Sequence, residues 1–283
     1  IETWQQFQKV PMPDATQWKL LNELYSDIGF MFPTLEKHAA EASLISYDDT
    51  PNRMIQKQPG QRKGIFTTSF VAEYCGQKIH LFYTSQRYAG ENMELLLNER
   101  KTDEVFKTMT DASVQNIPKR LRKKILMQWI ICLCLVHGRR KFHEIASLFE
   151  TECGFVLAQI AKIYLNEKHC KTQGLNAEER LAYHQKHSAP EMQALYIWLN
   201  NQLLYQKIEP NSGLGQAICY MLKYQDKLTR FLTVAGAPLD NNICEQAIKM
   251  IICHRKNSLF YRTPHGAKVG DALSSIIYTA ATA

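Results

Sequence analysis

The segment Asp240-Asn241-Asn242-Ile243-Cys244-Glu245-Gln246-Ala247-Ile248-Lys249, followed by His254-Arg255-Lys256-Asn257-Ser258, is the most informative part of this 283-residue sequence. Residues that favour helix N-caps stand before an apolar, periodic run, so the segment predicts a helix with Glu245 in its first turns. A cluster of cations follows the acid on the same predicted helix. A carboxylate accompanied by cations is what metal-assisted chemistry on a phosphate backbone requires.

Three further acids stand at the ends of two predicted strands. Residues 43–49 are short and apolar and end in Asp48 and Asp49, and a second predicted strand over 105–111 ends in Asp111. Side chains alternate along a strand, so Asp48 and Asp49 are expected on opposite faces. Carboxylates on rigid elements suit Mg²⁺, which prefers hard oxygen ligands.

Each acid also has a plainer interpretation. Asp48 could be a solvated strand end, and Asp111 could be a helix N-cap. Glu245 could face solvent in an ion pair with Lys249, four residues further along the helix. Any one of these acids is therefore a weak signal, and their common placement at element ends is a stronger one.

The order of predicted elements indicates an α/β protein. A strand, a hairpin over 65–74 and 78–84, a helix, a strand and a further strand over 128–135 suit an RNase H-like mixed sheet flanked by helices. Later residues carry apolar stripes at helical spacing, including one helix over 214–232. The predicted segments are a helical N-terminal segment (1–42), the first part of the core (43–149), an all-helical insert (150–235), and the final core helices with the third acid (236–283).

Basic residues form two runs. Arg139-Arg140-Lys141 opens a helix predicted over 137–149, where positive charge opposes the helix macrodipole, and that misfit suggests a phosphate partner. His254-Arg255-Lys256 lies near the end of a predicted helix, where positive charge is favourable in any case. A solvated helix face is the alternative interpretation of both runs.

Composition sets wider limits. The net charge of +7 suits a polyanionic partner. No apolar run reaches the roughly 18 residues of a membrane span, and eight cysteines in mostly apolar surroundings indicate free thiols in a reducing cytoplasm. Cys132-x-Cys134-x-x-His137 lacks the two-pair spacing of zinc sites, so buried thiols are the preferred interpretation. Because the chain opens with Ile1, we expect it to be an excerpt of a longer product.

Several motifs in one order carry a resemblance to a known family. The chain is similar over nearly its whole length to transposases of the insertion-sequence sixty-six family. Gln246 departs from the arginine that usually follows the family's glutamate. The matching segments include Ser46-Tyr47-Asp48-Asp49-Thr50, Met109-Thr110-Asp111-Ala112, Cys134-Leu135-Val136-His137-Gly138-Arg139-Arg140-Lys141-Phe142, Asn176-Ala177-Glu178-Glu179-Arg180-Leu181, and Pro238-Leu239-Asp240-Asn241-Asn242 through to Glu245.

The resemblance implies a DDE-type DNA transposase. Asp48, Asp111 and Glu245 would be catalytic and would hold two Mg²⁺ (or Mn²⁺) ions for strand cleavage and strand transfer. The implied partners are DNA at the element ends and at the target, further copies of the chain, and accessory proteins of the element, with no membrane. The implied location is the bacterial cytoplasm at the nucleoid. The residues expected to contact DNA are His137, Arg139, Arg140, Lys141, Lys249, His254, Arg255 and Lys256.

Two alternatives remain open at this stage. A non-catalytic DNA-binding or assembly remnant of a truncated transposase would bind DNA in a salt-sensitive way without nicking it. An RNase H-like repair or recombination nuclease would act on branched or hybrid substrates. A cleavage assay with Mg²⁺ on terminal-repeat DNA separates these possibilities.

Overall fold

The computed structural model describes Phe7, Lys9 and residues 12–56 and 62–283. The chain divides into two compact units. Unit 1 comprises residues 1–106, 115–128 and 243–283, and unit 2 comprises residues 107–114 and 129–242. The four segments expected from the sequence, with boundaries at 42, 149 and 235, remain predictions.

In the described residues, strands and helices mix in the first half of the chain, and the regular elements after Leu133 are helical. Short 3₁₀ turns lie at Val114–Asn116 and Arg230–Leu232. In chain order the strands are β1 (Leu44–Asn52), β2 (Ile65–Tyr74), β3 (Gln77–Ser85), β4 (Phe106–Thr110) and β5 (Trp129–Leu133). The helices are α1 (Asp14–Ile28), α2 (Met31–Ala40), α3 (Ala89–Asn98), α4 (Lys123–Gln128), α5 (Leu135–Glu144), α6 (Glu150–Thr172), α7 (Ala177–His187), α8 (Ala189–Leu204), α9 (Gly213–Lys223), α10 (Gln225–Leu228), α11 (Asn242–Ser258) and α12 (Pro264–Thr282).

Unit 1 is built on three antiparallel strands in the order β3-β2-β1. The predicted hairpin is confirmed: Cys75 and Gly76 both have positive φ (49° and 78°), as a two-residue turn of the I′ kind requires. Strand β1 runs to Asn52, three residues beyond the predicted end, because it pairs with β2 along its whole length. In this register Asp48 lies opposite Ser69.

Helix α11 covers part of this sheet. Cys244, Ala247, Ile248 and Ile251 follow one another at helical spacing and are all buried. They form a cluster with Val71 of β2 and Phe82 of β3. Burial of this apolar face fixes the helix on the sheet, and Glu245, next to Cys244, is fixed with it.

Helix α12 supplies side-chain partners to the outermost strand, β3. Four helix residues rise about 6 Å and two strand residues about 6.6 Å, so a polar side chain at every fourth helix position can meet every second strand amide. These contacts satisfy donors that an edge strand would otherwise leave unpaired. The amide bonds are Thr84 N–H to Asp271 Oδ2 (2.5 Å), Phe82 N–H to Ser275 Oγ (3.0 Å) and His80 N–H to Thr279 Oγ1 (3.0 Å).

Unit 2 contains β4 and β5 as neighbouring strands, together with α5 to α10. Its large apolar cluster draws on β5 and several helices, with Leu133, Val156, Ile160, Leu195 and Leu199 among the buried members. The helical character expected over 150–235 is confirmed. The single helix expected over 214–232 is wrong, since the chain there forms α9, α10 and a 3₁₀ turn.

The start of α5 corrects one argument from the sequence. This helix begins at Leu135 and ends at Glu144, so Arg139, Arg140 and Lys141 do not occupy its first turn. Lys141 lies in the last turn, where a cation is favourable. The expected conflict with the macrodipole is therefore wrong, and it no longer supports a phosphate partner.

The strands and helices make this a mixed α/β protein, as the sequence predicted. The more specific assignment to an RNase H-like core remains a prediction. In the described part of the chain, every helix is either too short or too polar to cross a lipid bilayer.

Candidate active site

Asp48 and Asp49 occupy the second half of β1 and have different surroundings. Both carboxylate oxygens of Asp49 accept hydrogen bonds, from Thr68 Oγ1 (2.6 Å) and from the Ala89 amide (2.6 Å) at the start of α3. Asp48 Oδ1 accepts from the Asp49 amide (2.8 Å) and lies 3.4 Å from Asn116 Nδ2. Asp49 thus has a structural role in holding the start of α3, and the assignment of Asp48 as the reactive acid remains a prediction.

Cys244, next to Glu245 in the sequence, contacts the strand that pairs with Asp48 in unit 1. The Cys244 thiol donates to the carbonyl of Ser69 (3.4 Å), and Ser69 is the cross-strand partner of Asp48. Burial raises the pKa of the Cys244 thiol well above its usual value, and the negative charges of Asp48, Glu245 and Asp49 raise it further. The thiol therefore stays protonated beside a group of carboxylates.

The Glu245 carboxylate has one oxygen without a partner. Oε1 is buried and accepts no hydrogen bond from the residues that the structure describes. A buried carboxylate oxygen in this state is costly unless another group neutralises it. An ion pair with Lys249 is the alternative interpretation of Glu245. Lys249 does not donate a hydrogen bond to Oε1, so that ion pair does not account for this oxygen.

Asp111 lies in unit 2 at the rim of a pocket of about 360 Å³. Three of the expected DNA-binding residues, His137, Arg140 and Lys141, line the same pocket. Asp111 Oδ1 also accepts from the Ser113 amide (2.9 Å), so the local turn expected of a capping aspartate is present as well. Unit 2 thus gathers one candidate acid and three candidate phosphate ligands around one cavity.

Tyr220 belongs to this pocket, although the sequence did not single it out. The Lys141 ammonium lies 4.7 Å from the centre of the Tyr220 ring, a cation–π contact. Burial raises the pKa of the Tyr220 hydroxyl, and the charge of Asp111 raises it further. The ring therefore remains neutral and holds Lys141 toward the pocket.

Backbone bonds inside unit 2 join the end of β4 to the segment that leads into α11. The Cys134 amide donates to the carbonyl of Thr110 (3.0 Å), next to Asp111, and the Asn241 amide donates to Cys134 Sγ (3.3 Å). The Leu135 amide donates to the carbonyl of Leu239 (3.1 Å). Glu245 follows Asn241 by four positions in the sequence.

The remaining expected DNA contacts are scattered. Arg139 is exposed and lies near Tyr164. Burial raises the pKa of the Tyr164 hydroxyl, and the charge of Arg139 acts in the opposite direction. On α11, Lys249, His254 and Lys256 are exposed. Arg255 instead donates to the carbonyl of Pro51 and lies 3.4 Å from Thr50 Oγ1, so it ties the end of α11 to the end of β1.

Cys132 and Cys134, from the segment Cys132-x-Cys134-x-x-His137, are buried in unit 2. Cys132 and Cys134 are fully buried in a cluster with Met109 and Ala237. Burial raises the pKa of Cys132 to about 12 and that of Cys134 to about 11, so both stay protonated near neutral pH. For Cys132 this agrees with the interpretation that it acts as a small apolar side chain, whereas Cys134 Sγ also accepts the Asn241 amide.

Comparison with known proteins identifies relatives. The sequence model described as "Transposase IS66 family" matches residues 2–269. Two uncharacterized proteins of Sinorhizobium fredii (strain NBRC 101917 / NGR234) are similar: y4jD is 32% identical over 53% of this chain, and y4hP is 31% identical over 52%. The matched stretch covers 29% and 28% of those relatives, so it spans less than a third of either curated protein.

Proposed function

This chain belongs to the IS66 family of transposases, and from that premise we propose that it carries out metal-dependent cleavage and transfer of DNA strands. The observation that carries the proposal is the buried oxygen Glu245 Oε1, which has no hydrogen bond in the described part of the chain. The charges of Glu245 and of Asp48 both act on the Cys244 thiol. A carboxylate oxygen in this state fits a divalent cation, since Mg²⁺ and Mn²⁺ take oxygen ligands.

The acids would hold the metal. Asp48 on β1 and Glu245 on α11 stand on packed elements of unit 1, and Asp111 at the end of β4 is the proposed third ligand. When bound, a pair of Mg²⁺ or Mn²⁺ ions would stabilise the negative charge that develops on the phosphate as its ester bond breaks. Asn116 and the Asp49 amide, which contact Asp48 Oδ1, keep that carboxylate oriented.

The cations would bind the DNA backbone. Arg140 and Lys141 stand beside Asp111 in the unit 2 pocket, and Lys141 is held there by the Tyr220 ring. An arginine can bind a phosphate through two parallel hydrogen bonds, and a lysine acts as a point charge. Such contacts give affinity and orientation without choosing a sequence.

Nicking of DNA by the purified chain tests the proposal. Supercoiled DNA carrying the element ends is incubated with Mg²⁺, and the nicked product is measured for Asp48→Asn, Asp111→Asn and Glu245→Gln. We expect each variant to lose at least about a hundredfold in rate, because each removes a charged metal ligand. Glu73→Gln, which changes an exposed acid on β2, serves as the matched control and should nick at the rate of the unaltered chain.

Two results would contradict the proposal. Nicking that persists undiminished in the three variants would exclude these acids as the metal ligands. Salt-sensitive DNA binding by the unaltered chain, with no nicking in Mg²⁺ or Mn²⁺, would favour the non-catalytic assembly protein instead.

The partners follow from the same proposal. We expect DNA at the element ends and at the target as substrates, with several copies of the chain acting together and with accessory proteins of the element. A DNA substrate would also place the protein at the bacterial nucleoid.

A further inference from the structure

A groove of about 480 Å³ in unit 1 lies where β1 ends. We propose that this groove, called here the β1-end groove, binds an unpaired nucleotide of the DNA substrate by stacking its base on Phe260. The inference deepens the proposed function, since it names a substrate contact for the same reaction. The walls include Arg53, Met54, Ile55, Lys63, Phe66 and Phe260.

The groove combines aromatic surface with positive charge. Phe260 is 46% exposed and Ile55 61% exposed, so apolar surface is open to a ligand. Arg53 and Lys63 are exposed at the same groove, and no acidic side chain among the described residues lines it. Aromatic rings with cations beside them are the usual means of binding unpaired nucleotides, whose bases stack while the phosphates meet the cations.

One wall is held rigidly. The Phe66 ring lies 4.7 Å from the Tyr88 ring, and a Cβ added at Gly64 would come within 2.9 Å of Phe66. Gly64 thus lets the chain pass close to the Phe66 ring, and the Tyr88 ring packs against the same ring. A ring fixed in this way loses little freedom when a base stacks nearby.

The opposite wall depends on an unusual backbone conformation. Leu259, just after α11, has φ of 60°, a left-handed conformation that a branched side chain rarely adopts. The turn brings Phe260 to the groove, and the next residue is anchored, because the Tyr261 amide donates to the carbonyl of Arg53 (2.9 Å). Strained backbone that the surroundings hold in place is concentrated at binding sites, so this feature supports the assignment.

The position along β1 suits the substrate. Pro51, on the groove, follows Asp48 by three strand residues, which is about 10 Å at the usual rise per residue. A base in the groove would therefore lie close along the strand to the proposed reacting phosphate. An unpaired base is what a strand end released by cleavage can present, whereas a base within an intact duplex is stacked on its neighbours.

Binding of a fluorescent base analogue tests this inference without any cleavage. The oligonucleotides carry 2-aminopurine either in an unpaired overhang or inside the duplex, and EDTA removes divalent metal. We expect the unaltered chain to quench the overhang probe, and Phe260→Ala to weaken its binding about tenfold and abolish the quenching. Phe260→Trp should retain both properties, and Phe260→Leu, which keeps apolar bulk, should lose the quenching.

Controls match each change. Phe30 is 73% exposed in unit 1 away from the groove, so Phe30→Ala should leave overhang binding unchanged. Arg53→Gln and Lys63→Gln should weaken binding of the overhang probe, whereas Lys37→Gln, at an exposed position on α2, should not. Equal losses in Phe30→Ala and Phe260→Ala would overturn the assignment.

If the unaltered chain does not quench the overhang probe, the proposed base site is wrong. A protein segment would then be the better candidate ligand for the β1-end groove. The assay contains no metal and follows no cleavage, so its outcome is separate from the nicking experiment. Quenching without nicking would contradict only the proposed catalysis. Nicking without quenching would contradict only the assignment of the β1-end groove as a base-binding site.

Discussion

Asp271, on α12, is a buried acid whose charge is costly. Burial raises its pKa to about 7, although hydrogen bonds from the Thr84 amide and hydroxyl act in the opposite direction. The unfolded chain releases this proton near the ordinary value of 3.8. The folded state therefore binds the proton more tightly, and the free energy of unfolding should fall as the pH rises from about 4 to 7.

Asp271→Asn should remove this pH dependence. One such group changes the free energy of unfolding by at most about 1.4 kcal/mol per pH unit. The side-chain oxygen of the introduced asparagine can still accept a hydrogen bond from the backbone N–H of Thr84. Urea unfolding of the two proteins at pH 5 and pH 8 measures the pH dependence of the free energy of unfolding. Both proteins contain the same nine histidines, so histidine titration contributes equally to both. Equal pH slopes for the two proteins would show that Asp271 does not titrate in this range.

Glu167 in unit 2 has the opposite behaviour. Burial alone would raise its pKa, but hydrogen bonds from His184 and Arg180, together with the charges of Arg180 and Lys171, outweigh burial and lower the pKa to about 2. Because the folded value is depressed, this stabilisation is present above the unfolded value of 4.5 and is lost as the pH falls toward 2.

Glu167→Gln should cost about 3 kcal/mol of unfolding free energy at pH 7, since it removes one partner of a buried charge pair. Arg180 Nε lies 2.8 Å from Glu167 Oε2, and His184 is completely buried. The control is Glu191→Gln, which breaks the surface pair with Lys162 and should cost less than about 1 kcal/mol. Similar losses in both variants at pH 7 would refute the distinction.

Single residues show what a sequence can and cannot predict about this site. Asp48, Asp111 and Glu245 were visible because each stands at the end or start of a periodic segment. Asn116 and Ser69 gave no such signal, since their roles depend on pairing with residues 68 and 175 positions away in the chain. Tyr220 was likewise hidden within an apolar helical stripe, which is the usual mark of a core residue.

At the scale of elements, the contact between α12 and β3 is a device that covers an edge strand. Ser275 is central to it: its hydroxyl donates to the carbonyl of Asp271 (2.7 Å) and accepts from the Phe82 amide (3.0 Å). The Thr279 hydroxyl instead contacts both backbone groups of one strand residue: it accepts from the His80 amide (3.0 Å) and donates to the His80 carbonyl (3.3 Å). The strand is therefore paired on its outer side by side chains in place of another strand.

Ser275→Ala should leave the Phe82 amide buried without an acceptor. We expect a loss of about 1–3 kcal/mol in unfolding free energy and faster hydrogen exchange at Phe82. Ser274→Ala changes the neighbouring, half-buried serine and should have little effect on either quantity. Unchanged protection of the Phe82 amide in Ser275→Ala would mean that the edge is covered by other contacts.

Elements with clear periodicity and turn residues were predicted well, and ambiguous apolar runs were not. The hairpin around Cys75 and Gly76 was found because its turn and alternation agree. The run over 128–135 predicts one strand, whereas β5 covers only Trp129–Leu133 and α5 begins at Leu135. Apolar runs of this length do not distinguish a strand from a buried helix start.

At the scale of the whole molecule, sequence and structure support the family in different ways. The family match covers residues 2–269 and fixes the family. The structure adds a buried carboxylate oxygen without a hydrogen bond in the described part of unit 1, and a pocket in unit 2 lined by Asp111, Glu144, His137, Arg140 and Lys141. Joint action of Asp48, Asp111 and Glu245 on one pair of metal ions is the central claim that remains to be tested.

Anomalous diffraction from crystals of the chain grown with Mn²⁺ tests that claim most directly. We expect manganese peaks at about 2.0–2.2 Å from carboxylate oxygens of Asp48, Asp111 and Glu245, with any two ions about 4 Å apart. Absence of a peak at Glu245, or an Asp111 carboxylate more than about 10 Å from the ions bound by the other two acids, would contradict the account.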